Sequence, residues 1–216
     1  VDLPDEQRKA YEQLKESALM ILRDAEVSYN NKLTELLKLQ QVANGFVKTN
    51  EGNIVDFKTN AKLTELMNII GETEDKCIIW ANYVHNIESI KKKLAETYGV
   101  DSVVSIYGKD SVDVRNQAVE KFQNNDECRF LVGNPTVGGY GLTLTAAKYV
   151  IYFSNSYNLE VRQQSEDRAH RIGQKSQVTY IDIICRDTID QMVLHNLENK
   201  IELSAKTLGE QVQKWL

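Results

Sequence analysis

Arg168 and Arg171 stand three residues apart in the stretch Gln163-Gln164-Ser165-Glu166-Asp167-Arg168-Ala169-His170-Arg171-Ile172-Gly173-Gln174. On a helix that spacing brings both guanidiniums to one face, and Gly173 is placed to end the helix just beyond them. Each guanidinium is permanently charged and offers a planar fork of donors, so a pair at a helix end suits a polyphosphate. The same spacing also fits a solvated face on which Glu166 and Asp167 pair with the arginines, a common surface arrangement.

A second candidate is Gly133-Asn134-Pro135-Thr136-Val137-Gly138-Gly139-Tyr140-Gly141-Leu142-Thr143. Gly138, Gly139 and Gly141 allow close backbone approach and leave amides free for an anion at a helix start. A plain glycine-rich turn is the alternative, since the spacing is not GxGxxG. Asn82, after the apolar run Ile78-Ile79-Trp80-Ala81, and Lys109 and Arg115, beside Gly108 and Ser111, are candidate phosphate contacts; an ordinary loop residue at Asn82 and a brace for the loop at Arg115 are the alternatives. Ser111 also suits the N-cap of the next helix. Gly108-Lys109-Asp110-Ser111 lacks the spacing of a phosphate-binding GxxxxGK[ST] loop, and no Asp-Glu pair follows a strand to hold Mg2+.

These residues need a scaffold, and the apolar pattern supplies one. Helices are expected over Asp5 to Arg23, Asn31 to Val42 and Asn60 to Ile70, with a polar turn region from Thr49 to Lys58. The chain then alternates. Strands at Cys77–Ala81, Ser102–Ile106, Arg129–Gly133, Lys148–Phe153 and Gln177–Cys185 are separated by helices over Val84–Tyr98, Val112–Phe122, Gly138–Leu142 and Leu159–Arg171. A last helix runs from Thr188 to about Leu203, and Trp215 is a possible anchor for the tail. Short apolar strands between amphipathic helices predict an α/β fold: an open parallel sheet with helices on both faces, three layers in all, preceded by a helical lead-in. The boundary is placed between 1–48 and 49–216. Ligands of such sheets gather at the carboxyl ends of the strands, and the arginine tip is expected on that rim.

The 216 residues are 42% hydrophobic and 26% charged, as in an ordinary globular chain. No apolar run is long enough to span a membrane. A net charge of −5 argues against bulk electrostatic binding to nucleic acid but leaves room for a local basic track. Cys77, Cys128 and Cys185 show no CxxC spacing and read as reduced thiols of an intracellular protein. The start at Val1, without Met or a signal pattern, suggests a piece of a longer protein.

The segment Gln164-x-x-x-Arg168-Ala-His-Arg171-Ile-Gly-Gln174 resembles motif VI of the Swi2/Snf2 branch of superfamily 2 ATPases, and Gly138 to Ala146 resembles that branch's motif V. Ile78 to Tyr83 looks like motif IV, and Leu3, Pro4, Gln7 and Tyr11 are similar to the lead-in before the second ATPase lobe. The resemblance covers about residues 1 to 205. DEAD-box RNA helicases share His-Arg-Ile-Gly but continue with Arg, where this chain has Gln174. Departures are Thr136 in place of Lys or Arg, Thr143 in place of Asn, and Tyr157-Asn158-Leu159 near the usual Trp-Asn-Pro; the last of these suggests a divergent, microbial or viral branch rather than a nuclear remodeller.

The resemblance implies a C-terminal RecA-like lobe of a DNA-dependent ATPase and double-stranded DNA translocase. ATP, with Mg2+ held by an N-terminal RecA-like lobe of the same polypeptide, would meet Arg168 and Arg171 as catalytic residues. Gln164, Gly139 and Gly141 would line the ATP cleft. Asn82, Lys109, Asn134, Thr136, Gly138 and Tyr157 would contact DNA. The lobe alone would be inactive. A monomer, an intracellular, cytoplasmic location and no membrane partner are expected. The rival readings are a DEAD-box-type RNA helicase lobe and a non-catalytic interaction module.

Overall fold

The computed structural model describes residues 1–23, 29–49, 51–137, 141–171, 174 and 176–199. In chain order the elements are α1 (Asp5–Arg23), α2 (Tyr29–Ala43), β1 (Phe46–Lys48), β2 (Ile54–Asp56), α3 (Ala61–Gly71), β3 (Cys77–Trp80), α4 (Val84–Tyr98), β4 (Val103–Ile106), α5 (Val112–Asn124), β5 (Phe130–Gly133), β6 (Tyr149–Tyr152), α6 (Leu159–Ala169), β7 (Thr179–Asp182) and α7 (Ile189–Glu198). A 3-10 turn at Val100–Ser102 leads into β4. Two compact units result: Val1–Glu65 with the described chain from Ile184 onward, and Leu66–Ile183.

In the first unit, Tyr11 of α1 is fully buried, and its hydroxyl accepts from the Ile189 amide at 2.7 Å. Burial raises that phenol's pKa above its ordinary value. Lys62 Nζ, 1% exposed, lies 2.6 Å from Asp190 Oδ2 and donates to Asn44 Oδ1 at 3.3 Å. Asp190 also accepts the Cys185 amide at 3.0 Å. Two buried charges are tolerated because each has a partner and further hydrogen bonds. The polar stretch 49–58 holds the bend and also the second strand of a hairpin, with β1 and β2 antiparallel. Three exposed residues in β2 leave no alternation for the sequence to display.

The second unit holds five parallel strands in the order β4-β5-β3-β6-β7. β3, β5 and most of β6 are buried throughout, which explains their continuous apolar runs. Ile78 and Trp80 point into a cluster with Ile106, Phe122 of α5, Leu131, Leu144, Val150, Tyr152 and Ala169 of α6; Cys77 and Ile79 point to the other face, since side chains alternate. α4 presents Ile87, Ile90 and Leu94 as its buried stripe. Ser111 caps α5, accepting from the Val114 amide. The short helix expected at Gly138–Leu142 falls largely on residues 138–140, outside the described ones; Gly141 and Leu142 are not helical. The last helix is described only to Glu198, so its expected end near Leu203, and Trp215, lie outside the described residues. No described helix is long and apolar enough to cross a membrane.

Helices that return alongside parallel strands bring their carbonyl-rich C-termini to the amino edge of the sheet, where cations are favoured. Lys76 Nζ donates to Phe122 O and Asn125 O at 2.5 and 2.7 Å. Arg129 donates to Thr73 O at 2.5 Å and packs its guanidinium against the Tyr98 and Phe130 rings.

Candidate functional site

α6 starts at Asn158, whose side chain accepts from the Val161 amide as an N-cap. It stops at Ala169 with His170 as C-cap, two residues short of the expected end. Arg171 is therefore not on the helical face shared with Gln164, and Gly173, expected to end the helix, lies outside the described residues. The stop has a cause in the hydrogen bonds at its end. Carbonyls of the last turn need donor partners, and here Arg168 O accepts from the Leu144 amide at 3.0 Å while Ala169 O accepts from Gln174 Nε2 at 3.3 Å. Gln174 Nε2 also reaches Ala147 O at 3.1 Å, so the chain after α6 is pinned beside the segment before β6.

Arg162, two turns upstream, anchors the helix. Its Nη1 donates to Asp182 Oδ1 at 2.5 Å and Asn155 Oδ1 at 2.9 Å, its Nη2 to Asp182 Oδ2 at 3.0 Å, and its Nε to Glu166 Oε1 at 2.6 Å. The guanidinium carbon lies 3.5 Å from the centre of the Tyr152 ring. Burial opposes the charge, but the Asp182 carboxylate outweighs it and holds the Arg162 pKa above its ordinary value. Tyr152 in turn shares a 2.7 Å hydrogen bond with Ser165 of α6, and burial raises its phenol pKa. The ends of β6 and β7 thus hold α6 through a fork-to-fork pair.

Glu166, one of the two acids available to neutralise the arginines, is taken by Arg162. Among the described residues no ion pair engages Arg168 or Arg171. Arg168 Nε is buried and makes no hydrogen bond. Arg171 is exposed; its Nη1 donates to Gly141 O at 3.2 Å and Thr143 Oγ1 at 3.1 Å. Asp167, Arg168, His170 and Arg171 line a cavity of about 610 Å³. Gln164 lies one turn before Arg168, on the same face, and donates to Glu160 at 2.8 Å. Gly141 sits at φ 73, the left-handed region that favours glycine. Gly139 and Gly138 lie outside the described residues.

The remaining candidates occupy the opposite edge. Asn82 follows β3; its amide donates to Ser154 Oγ and its carbonyl accepts Asn134 Nδ2, both at 2.9 Å. Asn134 Oδ1 also accepts from the amide and hydroxyl of Thr136, and Thr136 is exposed. Lys109 is exposed beyond β4, in a loop closed by Asp110 Oδ2 on the Tyr107 amide at 2.7 Å. Arg115 Nη2 donates to Asp110 O at 2.8 Å and so braces that loop. Tyr157 is half-buried beside the N-cap of α6.

The expectation of an arginine tip on the carboxyl rim is corrected here. α6 leaves the carboxyl end of β6 and runs back, so its final turn lies beside Leu144–Ala147, which precede β6. The segment from Asn134 to Ala147 spans both edges of the sheet, carrying the polar candidates at one end and the arginine contacts at the other. Three residues with positional roles escaped the sequence reading of chemistry. Arg162 and Asp182 have no mutual spacing to betray them, being 20 apart. Gln123 holds the loop from α5, donating to Thr145 Oγ1 at 3.3 Å and accepting the Ala146 amide at 2.9 Å; nothing local marks it.

The helicase conserved C-terminal domain family matches residues 60–173. An uncharacterized ATP-dependent helicase of Mycoplasma genitalium is 34% identical over 216 residues, covering 98% of this chain and 20% of that protein. The chromatin-remodeling ATPase INO80 of Candida albicans is 30% identical over 149 residues, covering 69% of this chain and 11% of that one. The chain therefore spans a fifth or less of these relatives' length. The Sulfolobus solfataricus SWI2/SNF2 ATPase core in complex with dsDNA superposes with a TM-score of 0.76 at 26% identity, over 99% of this chain and 45% of that one. By sequence motif, family match and fold, this chain belongs to the helicase conserved C-terminal domains, as the C-terminal RecA-like lobe of a Swi2/Snf2-family ATPase.

Proposed function

We propose that this lobe completes an ATP-hydrolysing centre whose phosphate loop and Mg2+ ligands lie on a first lobe of the same polypeptide, and that it grips a strand of double-stranded DNA. The observation that carries this reading is the cavity at the end of α6, where Arg168 and Arg171 have no carboxylate partner among the described residues. Arg168 Nε, desolvated and without a hydrogen bond, is suited to a phosphate oxygen brought in by lobe closure, because a buried donor left unpaired is costly. The residues present fit a triphosphate's anionic end: two fixed cations, with Gln164 one turn behind. They offer no carboxylate cluster for Mg2+; among the described residues no group of three potential metal ligands gathers.

On closure these guanidiniums stabilise charge developing on the transferred phosphoryl group, a contribution worth about 10³–10⁵ in rate for arginine fingers. Asn82, Lys109, Asn134, Thr136 and Tyr157, at the carboxyl edge, are the proposed DNA contacts. The solved Sulfolobus neighbour's complex with dsDNA supports that partner. With a hydroxyl at Thr136 instead of a cation, the edge neutralises fewer phosphates and its salt dependence is shallow.

The test is steady-state ATPase of the full-length protein with and without duplex DNA. Arg168→Ala and Arg171→Ala each lower turnover by about a thousandfold while leaving the unfolding temperature in place. The isolated chain hydrolyses nothing. Wild-type turnover in both variants refutes the catalytic role, and stimulation by RNA but not DNA refutes the DNA reading.

A further inference from the structure

We infer that Thr143 is a positioning residue for Arg171. Its hydroxyl and the Gly141 carbonyl together clamp one nitrogen of the guanidinium to the glycine-rich loop, so that the loop sets the aim of the other edge. The inference rests on the reading that Arg171 acts on a nucleotide phosphate.

Nη1 of an arginine carries two hydrogens, and here both are used, on Gly141 O at 3.2 Å and Thr143 Oγ1 at 3.1 Å. The acceptors are two residues apart on one loop, so a planar group held at both is fixed in rotation as well as position. Among the described residues no hydrogen bond engages Nε or Nη2 of Arg171, and that edge is available to the cavity lined by Asp167, Arg168, His170 and Arg171. A single acceptor would let the exposed side chain swing about one bond.

The clamp itself is well braced. Gly141 adopts φ 73 with nothing within 4 Å of where a Cβ would stand, so it is conformation, not crowding, that calls for glycine at the carbonyl that faces Arg171. Next along, the Leu144 amide donates to Arg168 O at 3.0 Å, and Gln123 holds Thr145 and Ala146 from α5. Arg168 is therefore set by backbone, which no side-chain change on the loop removes. Arg171 depends on one side chain, Thr143, which is itself exposed and contributes little to the core.

Thr143→Val keeps the shape of the side chain and deletes the hydroxyl, whereas Thr143→Ser keeps the hydroxyl and deletes the methyl. In the full-length protein with saturating duplex DNA, Thr143→Val lowers kcat about tenfold, the loss of one hydrogen bond to a charged group, with KM for ATP moving less than about twofold. Thr143→Ser restores kcat. The double variant Thr143→Val, Arg171→Ala turns over no more slowly than Arg171→Ala alone, because the hydroxyl acts through the guanidinium. Wild-type kcat in Thr143→Val overturns the proposal, as does an equal loss in Thr143→Ser, which would assign the effect to the methyl group. Arg171→Ala run beside them separates the two levels. If it is inactive while Thr143→Val is normal, only the positioning role falls. If it is fully active, the catalytic reading of Arg171 falls and the positioning role with it.

Discussion

Arg162→Met tests whether α6 is held by electrostatics or by packing alone. Methionine keeps much of the arginine's apolar stem but removes every donor. The change deletes both bonds to Asp182, the bond to Asn155 and the bond to Glu166. Arg162 and Asp182 side chains are 12% and 16% exposed, so their pair is largely desolvated, whereas Glu166 is 39% exposed and its share is screened by water. Breaking a buried pair by removing one partner costs about 3–5 kcal/mol, because the other charge is stranded. With the solvated Glu166 bond counted as nothing and some relaxation at the sheet edge, the loss is about 3 kcal/mol.

For a chain of this size that is roughly a 6–12 °C fall in Tm. Thermal and urea unfolding of the purified chain read it directly, and Asp182→Asn completes a double-mutant cycle with a coupling of about 2 kcal/mol. Arg162→Met combined with Asp182→Leu recovers most of the stability, since two apolar groups strand no charge. A loss below about 1 kcal/mol in Arg162→Met, or additive single variants, would show that the fork-to-fork geometry contributes nothing beyond packing.

Two more outcomes follow from burial. Gly133→Ala sets a Cβ 2.6 Å from Ile106 Cγ1 and 2.8 Å from Ile106 O, closer than packed atoms come. Overpacking of this kind costs about 1–3 kcal/mol, and a Tm equal to wild type would contradict it. Burial pushes the Cys77 and Cys185 thiols up to about 12, from an ordinary value of 9.0. With the folded values raised, the unfolded chain loses its thiol protons first, so stability is full below about pH 9 and declines as pH rises from there toward about 12. The slope is about 1.4 kcal/mol per pH unit for each thiol. Urea unfolding at about pH 8 and about pH 10 measures it. Cys77→Ala makes the slope shallower, and a flat profile in the parent chain would show the thiols are not held neutral by the fold.

What the sequence by itself determined was whatever is encoded within a few neighbours. Val84–Tyr98 and the start of α5 at Ser111 are read correctly because apolar period and capping residue are local signals. The parallel sheet is legible because strands buried on both faces must be apolar throughout. The paired arginines are legible because their motif is contiguous. Tertiary structure decided the rest. α6 ends at Ala169 because Leu144, distant in sequence, donates to the Arg168 carbonyl and Gln174, just past the helix, folds back onto the Ala169 carbonyl. Arg171 leaves the helical face for the same reason. The arginines come to the amino edge because α6 must run back along the sheet. That Asp182 pairs with Arg162 follows from where β7 lies beside β6, whereas Glu166 reaches Arg162 by their spacing of four along α6. Hydrogen bonds and ion pairs between elements are satisfied by whichever group is near in space, and no spacing along one strand or helix records a neighbour that lies on another.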